Sequence, residues 1–184
     1  MNTRNLIIAA ALLLPFGLTA QERWTARTGT VTFSSITPLE NIEAKNTKAS
    51  SVFDATTNDL VFVVLIRSFE FEKALMQEHF NENYMESTKF PKATFKGKVD
   101  GLKAGALGTA GTYNATVTGE LTMHGVTKTI TTAGVFTVDA AGKVSASCDF
   151  SIKPEDYEIK IPGMVKDNIA KDINVHVRME YIRS

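Results

Sequence analysis

Apolar and polar residues alternate strictly along four segments in the second half of the chain. Because side chains point to opposite faces of a β-strand with a period of two, each segment predicts a strand with one apolar face. Residues 30–34 and 95–99 show the same pattern over shorter stretches. The four long apolar faces are formed by Tyr113, Ala115, Val117, Gly119, Leu121 and Met123; by Ile130, Thr132, Gly134, Phe136 and Val138; by Val144, Ala146, Cys148, Phe150 and Ile152; and by Ile173, Val175, Val177, Met179 and Tyr181.

Residues 60–66 differ from these segments, since they are apolar at nearly every position. A continuous apolar run predicts a strand that is buried on both faces. Asn58 and Asp59 are typical of a turn, so we expect residues 42–54 to form a hairpin with this strand.

Short turns connect the predicted strands. His124-Gly125 and Ala141-Gly142 suit sharp hairpin connections, because glycine adopts the positive φ that such turns require. Residues 101–111 are rich in glycine and alanine and predict a loose loop. About eight strands in series with short turns predict an all-β fold, an eight-stranded antiparallel up-and-down barrel, in which closure removes the unpaired sheet edges.

A short helix is predicted before the strand that contains Phe95, with an apolar face formed by Leu75, Met76, Phe80 and Tyr84. We expect Phe90-Pro91 to end this helix, because proline lacks a backbone donor and pushes its predecessor into an extended conformation. The helix is expected to pack on or cap the barrel and to cover the outer face of the strand at residues 60–66.

The interior of an eight-stranded barrel is just wide enough for packed side chains or for one small apolar ligand. Small inward residues such as Gly119, Gly134 and Ala146 leave volume for a ligand, but large inward phenylalanines could fill it. The sequence leaves both alternatives open. In an open lumen we expect the ligand to contact Phe33, Leu75, Met76, Phe80, Phe95, Val117, Leu121, Phe136, Phe150 and Val177.

The first twenty residues predict a signal peptide, with Arg4 in a short positive region, an apolar core over residues 6–14 and a small residue at Ala20. Cleavage near Ala20 would leave residues 21–184 as a single barrel domain without a stable membrane anchor, since the apolar core is shorter than a membrane span. Removing residues 1–20 takes away Arg4 and no acid, so the net charge becomes −1. A nearly neutral chain lacks the clustered cations that bind nucleic acid.

Residues suited to catalysis are scarce. His79 and Glu82 lie one helical turn apart and could contribute two metal ligands, but the sequence offers no further cluster, so we expect His79 to pack at the seam between helix and barrel. His124 lies in a predicted turn and is expected to be solvated, and the lone Cys148 is expected to be a buried apolar side chain. The sequence has neither a nucleophile elbow nor a phosphate-binding loop. We therefore expect a protein without catalytic residues, metal or cofactor.

The irregular segment at residues 153–172 contains alternating Tyr157, Ile159 and Ile161 and a turn at Pro162-Gly163. Exposed apolar residues on a long loop often mark the mouth of a binding site. The alternative is that they plug the end of the barrel.

Three parts of the chain carry a family resemblance: residues 79–84 with 90–95, residues 119–128, and residues 149–152. In order and spacing they resemble the YceI family of lipocalin-like, polyisoprenoid-binding proteins. The resemblance implies an eight-stranded barrel that holds an isoprenoid lipid or quinone in its interior, acting as a periplasmic or secreted carrier or store without catalysis or metal. The alternative function is a filled barrel that acts in stress response or protein interaction without a lipid. The sequence leaves a homodimer open.

Overall fold

The computed structural model describes residues 22–184, and the predicted signal peptide lies outside the described residues. Nine antiparallel strand segments form one sheet. Their bounds are β1 (Arg23–Ile36), β2 (Asn41–Asp54), β3 (Asp59–Leu65), β4 (Phe69–Phe71), β5 (Lys92–Asp100), β6 (Gly111–Met123), β7 (Val126–Val138), β8 (Val144–Ile152) and β9 (Ile173–Arg183).

The sheet closes into a barrel because β1 pairs with β2 on one side and with β9 on the other. Every long strand neighbours the strands that precede and follow it, so the predicted eight-stranded up-and-down barrel is confirmed. The ninth segment, β4, is three residues long and extends the pairing of β2 after a 3₁₀ turn at Ile66–Ser68 interrupts the chain.

The predicted hairpins are also present. Asp54 pairs with Asp59 at the end of the β2–β3 hairpin, and Met123 pairs with Val126 across a two-residue turn. In that turn His124 and Gly125 have φ values of 51° and 80°, the positive values of a type I′ hairpin. Gly142 likewise has a φ of 80° in the β7–β8 connection.

One end of the barrel, called the closed end here, is filled by side chains. Its core includes Trp24, Phe53, Val99 and Val144, which are almost fully buried. The segment predicted as a loose loop contributes to this packing, since a 3₁₀ turn at Ala106–Gly108 places Leu107 in the same core at 3% exposure. The closed end therefore separates the lumen from solvent.

The opposite end, called the open end, carries the predicted helix. Helix α1 spans Ala74–His79 and continues as a π-helical turn, Phe80–Tyr84. It ends before the expected stop at Phe90-Pro91, because Glu86 adopts a φ of 42° and the Ser87 amide bonds back to the Asn81 carbonyl.

The expectation that this helix covers the outer face of β3 is wrong. Val61 and Leu65 on that face are 40% and 47% exposed. Helix α1 packs beside β4 at the open end instead. The apolar run at residues 60–66 thus contains a lumen face and a face that meets solvent.

Candidate functional site

The barrel encloses an apolar cavity of about 570 Å³ between the closed end and helix α1. The lumen is therefore open rather than filled. All ten residues that the sequence predicts as ligand contacts line this cavity: Phe33, Leu75, Met76, Phe80, Phe95, Val117, Leu121, Phe136, Phe150 and Val177. Their role in binding a ligand stays a prediction.

The floor of the cavity is aromatic. Phe136 lies between Phe53 and Tyr181, with ring-centre distances of 5.4 and 6.3 Å. Ser51 Oγ donates to the Val61 carbonyl (3.0 Å), so the Tyr181 hydroxyl donates to Ser51 Oγ (2.8 Å). Burial raises the pKa of Tyr181 to about 12. The floor is thus an uncharged surface, and the Tyr181 and Ser51 hydroxyl groups there already donate hydrogen bonds within the protein.

Some small residues in the walls are covered by neighbouring side chains, and others face the open cavity. Gly97 and Gly119 face each other across β5 and β6, and the Phe95 ring lies against both, only 2.7 Å from where a Cβ atom of either would stand. A Cβ on Gly134 would meet Val117 at 3.1 Å. Ala146, in contrast, is half-buried and lines the open volume. Small inward residues thus make room partly for neighbouring side chains and partly for the cavity.

Four aromatic rings hold the helical segment on the barrel. Phe80 in the π-helical turn stacks on Phe33 of β1 with a centroid distance of 5.4 Å. It also contacts Phe71 and Phe69 of β4 at 5.0 and 5.6 Å. The sequence analysis missed the two β4 residues as part of the site, although the alternation Phe69-Glu-Phe71-Glu is a strand signal.

The charged residues that line the cavity within the described chain are Glu40 and Lys73, and both lie at the open end. Lys73 Nζ is 3.5 Å from Glu40 Oε1, and the Asn168 side-chain amide donates to Glu40 Oε2 (3.2 Å). These contacts connect the start of helix α1, the β1–β2 turn and residues 153–172. Below this polar bridge the lumen is apolar, apart from a few neutral side chains such as Thr94 and Thr132.

The segment at residues 153–172, called the late loop here, both plugs and borders the open end. It contains 3₁₀ turns at Pro154–Tyr157 and Gly163–Asn168. Tyr157 and Ile159 are buried in a second apolar cluster with Ile66, Met85 and Ala93. Further along, the same loop lines the cavity through Ile161, Val165 and Ile169.

The expectation that His124 is solvated is wrong, since its side chain is 10% exposed. Nδ1 donates to the Tyr157 carbonyl (2.9 Å), which can only accept, and Nε2 lies 3.0 Å from Glu86 Oε2. The imidazole ring also packs against Phe90, with a centroid distance of 4.7 Å. His124 thus connects the β6–β7 hairpin, the segment after the helix and the late loop.

Replacing His124 with asparagine should destabilise the protein by about 2 kcal/mol, because the Tyr157 carbonyl and Glu86 lose their partner. Asparagine tolerates the positive φ at this position, so the loss reports on side-chain contacts. Urea unfolding measures the difference. His176→Ala is the matched control, since His176 bonds to Asp149 (2.7 Å) on the exposed outer surface, where such pairs contribute little. Equal losses in the two variants would contradict this role of His124.

Cys148 faces the lumen, as the alternation predicts. Burial, with a smaller contribution from the nearby Asp149 carboxylate, raises the pKa of its thiol to about 11. The thiolate, which is the reactive form, is therefore scarce at neutral pH. Within residues 22–184, no group of three or more His, Cys, Asp or Glu side chains is arranged to hold a metal ion.

A closed up-and-down barrel with an apolar lumen and a short helix at its open end is a lipocalin-like architecture. The chain belongs to the YceI family, since the model of the YceI-like domain matches residues 20–181. No curated protein matches the chain in sequence. In the described part of the chain, no helix has the length and hydropathy of a membrane span.

Solved structures share this fold. A domain from Saccharophagus degradans, described as a polyisoprenoid binding domain implicated in plant cell wall breakdown, has a TM-score of 0.75 at 17% identity, covering 88% of this chain and 98% of its own. BcnA from Burkholderia cenocepacia has a TM-score of 0.67 at 17% identity, with coverages of 83% and 95%. The Campylobacter jejuni YceI protein has a TM-score of 0.58 at 21% identity, with coverages of 77% and 84%. At these identities the likeness shows the fold.

Proposed function

We propose that this chain is an exported, non-catalytic binding protein that holds an apolar lipid, a polyisoprenoid, in the barrel as a carrier or store. The observation that carries the proposal is the cavity of about 570 Å³, which is apolar below a polar mouth. Its volume lies in the range of about 300 to 1,000 Å³ that ligand sites usually have. The predicted signal peptide supports a periplasmic or secreted location.

The chemistry of the cavity favours a long apolar chain over a polar ligand. Each methylene group that leaves water for an apolar site contributes about 0.8 kcal/mol, so a few isoprene units give useful affinity. The Tyr181 and Ser51 hydroxyls at the floor already bond within the protein. A polar ligand group placed there would lose its water partners without full replacement, which is costly.

The arrangement of reactive side chains supports a binding protein rather than an enzyme. Cys148 is the thiol in the lumen, and its pKa of about 11 keeps it protonated at neutral pH. His79 lines the cavity from helix α1, where it is exposed at the open end rather than packed at the seam between helix and barrel. His124 and His176 bond to other parts of the protein and are not among the lining residues. The solved structure from Saccharophagus degradans that shares this fold is a polyisoprenoid binding domain, which adds support for an isoprenoid lipid as the ligand.

Native mass spectrometry of the protein purified from its export compartment tests this proposal. We expect an adduct of one isoprenoid lipid per chain, which organic extraction would identify. Protein isolated bare should take up an isoprenoid alcohol such as geranylgeraniol, and uptake of a straight-chain fatty acid in parallel measures selectivity for the branched chain. A bare mass that stays unchanged after both incubations would contradict the proposal and leave the interaction-module alternative.

A further inference from the structure

The open end of the barrel is where the head group of a bound lipid would lie. The apolar tail of such a lipid fills the apolar lumen, and the hydroxyls at the floor already bond within the protein. At the open end, Glu40 in the β1–β2 turn contacts Lys73, which precedes helix α1, and Asn168 in the late loop. All three residues line the cavity, so a head group at the opening meets the polar bridge that they form.

The carboxylate of Glu40 neutralises the cation in this bridge. One of its oxygens lies 3.5 Å from Lys73 Nζ, and the other accepts a hydrogen bond from the Asn168 side-chain amide (3.2 Å). In the described part of the chain, Lys73 is the only lysine or arginine that lines the cavity. His79 also lines it, but Glu82 follows one helical turn later. A head group at the opening therefore meets no excess of positive charge.

Acidic residues outnumber basic ones around the opening. Four connections lie at this end of the barrel: residues 37–40, 66–91, 124–125 and 153–172. Together they contain eleven acids and seven lysines or arginines, which is a net charge of −4. The three residues of each long strand that adjoin these connections add Glu43, Lys92 and Lys128 and change the net charge to −3. The opening as a whole is thus negative and repels an anionic group that approaches it.

An uncharged head group fits the polar bridge better than an anionic one. A hydroxyl group can donate to Glu40 and accept from Lys73 without separating the two side chains, and a quinone carbonyl can accept from Lys73 or Asn168. A phosphate monoester carries a charge of about −1.5 to −2 at pH 7 and offers mainly acceptor oxygens. It would therefore have to displace Glu40 from Lys73 or lie against the negative charge of that carboxylate.

We propose that the opening selects an isoprenoid lipid with an uncharged head group, an alcohol or a quinone, and that Glu40 is the residue that excludes isoprenoid phosphates. This inference rests on the proposed function, because it concerns the head group of a lipid whose tail is bound in the lumen. The apolar tail supplies the affinity. Glu40 determines which head group can accompany that tail, since it occupies the cation that a phosphate needs.

Displacement of radiolabelled geranylgeraniol from the purified chain tests this selection. Unlabelled geranylgeraniol should compete about tenfold more strongly than geranylgeranyl phosphate, which has the same tail. Glu40→Gln keeps the shape of the side chain and frees the charge of Lys73, so it should reduce this preference for the alcohol about tenfold. Glu78→Gln is the matched control. It removes an exposed acid of helix α1 that does not line the cavity, and it should change the preference by less than about twofold.

Three results would overturn the selection by Glu40. One is equal competition by the alcohol and the phosphate in the unchanged protein, and another is an equal loss of preference in Glu40→Gln and Glu78→Gln. The third is a preference that does not fall as the salt concentration rises, because salt screens a charge effect at a partly exposed site. Binding of geranylgeraniol without any preference would contradict the head-group selection alone. If radiolabelled geranylgeraniol does not bind at all, the proposed function fails, and this inference fails with it.

Discussion

Replacing Ala146 with phenylalanine should reduce the uptake of an isoprenoid alcohol or quinone about thirtyfold while the barrel stays folded. Ala146 lies on β8, is half-buried and lines the open part of the cavity, so a phenyl ring at this position occupies space that the ligand would fill. Excluding two to three methylene groups at about 0.8 kcal/mol each gives a loss of about 2 kcal/mol. Titration followed by native mass spectrometry measures the change.

The matched control for this variant is Ser145→Phe. Ser145 precedes Ala146 on the same strand, and the alternation of side chains turns it to the outer surface. The same ring is then added to the same strand without entering the lumen, so uptake should stay at the level of the unchanged protein. Normal uptake by a folded Ala146→Phe variant would show that the lipid binds elsewhere.

The position of this substitution matters, because not every inward residue faces free volume. Phe136 is also inward, but it is 2% exposed and packs between Phe53 and Tyr181 at the floor. A larger ring there would press on the closed end and lower stability before it altered the lumen. Sequence alternation identifies both residues as inward and cannot distinguish them, because the depth of a residue in the barrel depends on strands distant in the chain.

The elements that were predicted correctly depend on local patterns. Alternation with a period of two assigns Val117, Leu121 and Val177 to the lumen, since a strand has only two faces. Turn residues such as His124-Gly125 fix where one strand ends and the next begins. Because short hairpins place each strand beside the next one in the chain, few sheet topologies other than an up-and-down barrel are possible.

The features that were not predicted depend on contacts between distant parts of the chain. Nothing near His124 indicates that the Tyr157 carbonyl and Glu86 lie beside its ring nitrogens. Asn168 and Glu40 are separated by 128 positions, so their contact at the mouth has no local signal. Irregular segments lack a periodic pattern, and their side-chain directions are set by the barrel on which they pack.

The two facing glycines in the wall show how small residues shape the lumen. Gly97 of β5 and Gly119 of β6 are direct partners, and the tip of the Phe95 ring lies against both. Without Cβ atoms at these positions, the Phe95 ring fits close against the sheet and lines the cavity from there. Because the two backbones approach each other so closely, the arrangement leaves no space for a side chain.

Gly119→Ala should therefore destabilise the barrel by about 3 kcal/mol, which corresponds to a drop in Tm of roughly 10 °C. The new Cβ atom would stand 2.4 Å from the Lys96 carbonyl oxygen and 2.5 Å from Gly97 Cα, backbone atoms that cannot turn away as a flexible side chain can. Thermal unfolding measures the loss. Gly108→Ala is the control, since its Cβ meets no atom within 4 Å, and equal Tm values for the two variants would contradict the close approach of β5 and β6.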